Sequence, residues 1–183
     1  MKIKYILTLL LIIVLALVIA FKKDALNFKS YDDSYDQLVK GLYFGMDKQD
    51  FFSHCWDLNQ KGETHHGTID NNVMYVDSIN FDPKVIVNFY PEFLDDKISK
   101  LPMSFYFHGW APWNKNLLSQ DSLSLQVMKL MEAKYGEGFE KRTAPNGRPF
   151  HIKFAGPLMI RVYNDIDEMI VKADISHKYY QGE

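Results

Sequence analysis

The order of apolar and polar residues divides the chain into three kinds of pattern. From Tyr5 to Phe21 every residue is apolar except Thr8, with Lys2 and Lys4 ahead of the run and Lys22 and Lys23 behind it. As a helix this run spans about 26 Å, slightly short of a ~30 Å hydrocarbon core, and lysines at both ends can snorkel to make up the difference. The pattern predicts an uncleaved signal anchor over residues 1–23, in contact with the lipid bilayer through residues 5–21. A cleaved signal peptide is the alternative, with Val18-Ile19-Ala20 before the cut. Against it, the run is long for a signal peptide and the second lysine pair would follow the cut at once. Residues 24–44 read as a polar connector with a short helix, where Tyr35, Leu38, Val39 and Leu42 recur at helical spacing.

Helical and alternating periods then follow one another twice. Asp47 is a suitable N-cap, and Phe51, Cys55 and Leu58 at i, i+4 and i+7 predict a helix over 48–60. Alternation takes over at 73–76, 84–90 and 100–107, with Asp82-Pro83 and Asp95-Asp96 as turns; Pro102 places its strand at an edge or a bulge. After a connection at 108–118, Ser119 or Asp121 caps a second helix carrying Leu123, Val127, Leu130 and Met131, stopped by Gly136 and Gly138. Three more alternating runs centre on Ile152, Ile160 and Val171, separated by Gly156-Pro157 and Asn164-Asp165. The expected fold class is therefore α+β. An N-terminal transmembrane or signal helix precedes two helix–strand–strand–strand units at 45–107 and 119–176. These form antiparallel sheet with helices packed on one face, and 177–183 is a tail. Units of this size bury too little alone, so they are expected to share one core.

Gly45-Met46-Asp47-Lys48, followed by Phe51 and Leu58, looks like the Gly-plus-polar step that opens such units. Over residues 45–175 the doubled helix-then-strands order resembles β-lactamase inhibitor proteins and the small outer-membrane assembly lipoproteins of the SmpA type. The second helix of those units is missing here or reduced to the 63–70 stretch. The resemblance implies a protein-binding scaffold and carries over no catalytic residues.

Composition narrows the partners. Over 183 residues, 21 Lys and Arg stand against 23 Asp and Glu, so there is no basic footprint for nucleic acid. The mean hydropathy is −0.22 despite the apolar leader, so the remainder is decidedly polar. Without Lys2 and Lys4 the count is 19 basic to 23 acidic, a net −4 that does not favour an anionic lipid surface. A single cysteine excludes an internal disulfide framework and a multi-cysteine zinc site. The expected location is a single-pass membrane protein with its C-terminal domain outside the cytoplasm, or a secreted or periplasmic protein after cleavage.

Candidate chemistry is sparse. His54, Cys55, His65 and His66 lie close in sequence, but Cys55 belongs with the apolar helix face and His54 points about 100° away from it. No metal ligand set and no cofactor is expected. Asp165, Asp167 and Glu168 lack the remaining ligands of a calcium loop. Lys141, Arg142 and Arg148 read as a solvated turn. Ser104, His108 and Asp95 can be assembled on paper, yet no spacing selects them, and no nucleophile, metalloprotease or phosphate-loop motif occurs. The catalytic reading is thus the weaker one, with no catalytic residue assigned. The densest aromatic patch runs from Phe105 to Trp113. Tyr106, His108, Trp110 and Trp113 are the candidate binding residues, if Trp110 and Trp113 do not simply roof the junction between units. The expected function is a membrane-tethered extracytoplasmic domain that binds another protein or an envelope component. Alternatives are a cell-envelope hydrolase or carbohydrate-binding module using the 105–114 patch, and an immunity-type inhibitor of a toxin.

Overall fold

Alternating residues build one long antiparallel ladder. The structure, a computed structural model, describes residues 32–67, 72–167 and 169–181. The chain divides after Asp32, and every element described lies in the second unit. Its strands are β1 (His65–His66), β2 (Val73–Asp77), β3 (Val85–Phe89), β4 (Glu92–Leu94), β5 (Lys97–Phe107), β6 (Glu140–Thr143), β7 (Pro149–Ala155), β8 (Leu158–Asn164) and β9 (Val171–His177). In space they follow the order β1-β2-β3-β5-β9-β8-β7-β6, with β4 paired to the start of β5. The turn between β4 and β5 places Asp95 and Asp96 at φ 49° and 58°, the left-handed geometry that matches a tight hairpin to strand twist.

β5 is 11 residues long and joins the two halves of the sheet. Leu101 faces Ile175 of β9, and Met103 faces Ala173. On this face Val85, Val87 and Phe89 of β3, Phe105 and Phe107 of β5, and Ile160 and Val162 of β8 are all buried. Helix α1 (Lys48–Gln60) and helix α2 (Gln120–Tyr135) supply the cover. Across β5, β8 and β9 lies α2, burying Leu123, Val127 and Met131. Ser119 caps it by accepting from Ser122 N–H at 3.2 Å. Gln120 Nε2 points at the carbonyls of Asp165, Asp167 and Ile170 (3.3, 3.0 and 2.7 Å), tying the helix start to the β8–β9 turn.

α1 sits elsewhere. Its Phe51 ring meets Tyr90 and Phe93 at 5.8 and 5.6 Å, beside β4. The strand-like segment ahead of it is held along β5: Gly45 N–H donates to the Ile98 carbonyl, and Ile98 N–H to Met46. Gly45 is required there twice over, by its φ of +81° and because a Cβ would lie 2.7 Å from the Tyr180 ring. Next to it the buried His177 ring packs between Phe44 and Tyr180, with Nε2 3.2 Å from Asp36 Oδ1.

This architecture overturns the expected plan of two helix–strand–strand–strand units with helices packed on one face. The described chain is dominated by a single nine-stranded antiparallel sheet, with two α-helices. Only α2 crosses the middle of that sheet. Three strands were invisible to a period-two reading for physical reasons. β1 has two residues, β4 has three, and all four residues of β6 are exposed, so none shows an apolar alternation. Among the described residues no helix is long and apolar enough to cross a membrane; the anchor expected at 1–23 lies outside them.

Candidate functional site

The aromatic patch expected to bind is split by the fold. Tyr106 alternates with core residues on β5, so it lies on the outer sheet face, where its hydroxyl accepts from Asn88 Nδ2 at 3.4 Å. His108 is exposed in the turn that follows. Trp110 is half-buried against the core, whereas Trp113 stands 89% exposed on a short 3-10 turn. Asn114 holds this turn, accepting from Ala111 N–H at 2.8 Å and donating to the Gly109 carbonyl at 3.0 Å. Tyr106 and Trp110 thus serve opposite sides of the sheet, and the four residues do not enclose one site.

His54 and Cys55 also have separate surroundings. His54 Nε2 donates to the Lys40 carbonyl at 2.7 Å, and Cys55 is half-buried, with burial pushing its thiol up to about 11. Among the described residues no three His, Cys, Asp or Glu side chains converge as metal ligands.

A concave site lies instead under α2, for a reason of dimensions. Eight strands in line are about 34 Å wide at ~4.8 Å spacing, while one helix is roughly 10–12 Å across. The rest of the core face needs other cover, and the 3-10 turn at Val39–Gly41 supplies part of it. Between that turn and α2 a cleft of about 340 Å³ remains, within the ~300–1,000 Å³ range of ligand pockets. Its apolar wall is Met103 and Phe105 of β5, Ile175 of β9, and Leu130 and Met131 of α2.

Polar groups are few and most are engaged. Asp77 is buried, and its carboxylate accepts from Ile79 N–H, Asn80 N–H and Asn80 Nδ2 at 2.8–3.0 Å. The Lys40 ammonium lies 4.7 Å over the Tyr75 ring, and that of Lys134 lies 5.3 Å over Tyr135. Burial, then the Asp77 charge, pushes the Tyr75 phenol well up; burial alone does the same to Tyr135 and lowers Lys134. One group is left over. Tyr135 lines the cleft, and its hydroxyl is buried with no hydrogen-bond partner.

No protein-family model, curated protein or solved structure matches this chain. Its chemistry is therefore read from the cleft itself. The cleft offers sulfur-containing, aliphatic and aromatic side chains and the phenol O–H of Tyr135.

Sequence reasoning missed Tyr75, Lys134 and Tyr135. Leu130, Met131, Lys134 and Tyr135 share one face over the last turns of α2, and the apolar pair reads as ordinary core stripe. The available signal was Tyr135 beside Gly136, a bulky aromatic at a helix end where the chain turns away.

Proposed function

We propose that this protein is a membrane-tethered extracytoplasmic binding domain without catalytic activity. Residues 5–21 are its tether, and the cleft beneath α2 receives an envelope molecule with an apolar body and one polar end. The buried, unpartnered Tyr135 hydroxyl carries this reading, because such a group in a native fold costs about 1–3 kcal/mol unless something completes it. The largely apolar wall favours a hydrocarbon or ring system over a charged metabolite.

The test uses the full chain expressed with its N-terminal segment intact. Membrane fractions should contain it, and protease added outside the cytoplasm should reach the domain. Mass spectrometry of small molecules co-purified in detergent should find a species absent from the Leu130→Trp variant, whose indole fills the cleft. Recovery in the cytosol, or identical co-purified species from both proteins, overturns the proposal.

A second reading rests on Trp113 and Leu117, which stand 89% and 79% exposed close together in sequence. These would be the contact points of a protein partner, lost in the double alanine variant.

A further inference from the structure

The sheet face opposite the helices is a different surface. Asn88 of β3, Ser104 of β5, Arg161 and Tyr163 of β8 and Asp174 of β9 line a groove of about 440 Å³, with Tyr90 at its side. A second hollow of about 360 Å³ shares Arg161 and Tyr163 with it and continues past Phe150 and Asn164. Together they make an elongated track across the strands.

The charges lining the first groove are paired, while Arg148 in the second hollow forms no ion pair among the described residues. Arg161 Nη2 donates to the buried Asp174 carboxylate at 2.6 Å, Lys172 pairs with Asp165 at 2.6 Å, and Lys100 with Glu92 at 2.7 Å. Two polar atoms are not matched: Asn88 Oδ1 and Arg161 Nε are both buried without a hydrogen-bond partner. Turning the Asn88 amide about would exchange its oxygen for its nitrogen and still leave one atom of the group unmet. One acceptor and one donor in the groove wall are thus left unmet among paired charges.

We infer that this track binds a neutral oligosaccharide. A hydroxyl group both donates and accepts, so neighbouring hydroxyls can serve Asn88 Oδ1 and Arg161 Nε without bringing in charge. Tyr163 supplies a ring of the kind on which a pyranose stacks. Two hollows sharing a wall suit a chain of sugars rather than a single one. A peptide strand fits less well, because β3, β5, β9 and β8 are inner strands whose ladders are already paired on both sides. The inference is independent of the cleft beneath α2.

Titration calorimetry of the folded full chain in detergent, against neutral tetrasaccharides of glucose and of N-acetylglucosamine at up to about 10 mM, tests it. At least one should bind. Asn88→Ala and Tyr163→Ala should each weaken it at least about fivefold, with melting curves confirming that the variants fold. Leu130→Trp should leave sugar binding intact, which separates this site from the cleft. Absence of binding by every sugar overturns the inference. So does binding that survives both groove substitutions, or capture by the groove of extended peptides in place of sugars.

Discussion

At the scale of single residues, the informative groups are those whose surroundings do not match their chemistry. Tyr135 keeps a buried hydroxyl that bonds to nothing. Tyr135→Phe should therefore leave the empty protein as stable or more stable, by up to about 1 kcal/mol in urea denaturation, while weakening whatever the cleft holds. A loss of several kcal/mol would mean that the hydroxyl has a structural partner after all. Cys55 gives a pH prediction. Its thiol is raised from an ordinary 9.0 to about 11 by burial, so the unfolded chain releases this proton first as pH rises. The stabilising contribution is complete below about pH 9 and is lost as pH climbs through 11. Alkylation by iodoacetamide should be slow at pH 8 and accelerate up to about 11; fast labelling of the folded protein at pH 8 would contradict the half-buried position.

At the scale of elements, both α-helices were readable because their signals are local. Phe51, Cys55 and Leu58 repeat at helical spacing, and Ser119 stands directly before Gln120, where α2 begins. The longer strands were readable by the same token, since Val85, Val87 and Phe89 alternate with residues on the outer face. What could not be read is how strands associate. β9 returns to pair with β5 because Ile175 and Ala173 complete the apolar row begun by Leu101 and Met103, a preference spread over distant residues. The candidate sites failed to show for the same reason: the cleft draws on β2, β5, β9 and α2, and the groove on β3, β5, β8 and β9. Gln120 is another non-local feature, a side chain serving three carbonyls 45–50 residues away. Gln120→Ala should cost about 1 kcal/mol and expose the amides of Asp165 and Ile170 to faster hydrogen exchange. Unchanged exchange there would show that the turn holds itself.

At the scale of the whole molecule, the sheet depends on its central seam. Ile175 is buried where β9 meets β5 and also contributes to the cleft wall, so Ile175→Ala should destabilise the domain by about 2–5 kcal/mol in thermal or chemical unfolding. A smaller loss would indicate that the cleft can collapse to fill the space. Both halves should melt together, because β5 and β9 belong to one ladder.

The last strand in the ladder, β6, reads Glu140-Lys141-Arg142-Thr143 and is exposed throughout. Its outer rim offers unused amide and carbonyl groups to any passing extended chain, and the charged side chains of Glu140, Lys141 and Arg142 make that approach unfavourable. Exchanging Lys141 and Arg142 for Val should turn the rim into a template, detectable as growing particle size in light scattering at unchanged helix content. Under the proposed tethering, this four-residue border would keep neighbouring copies from joining edge to edge.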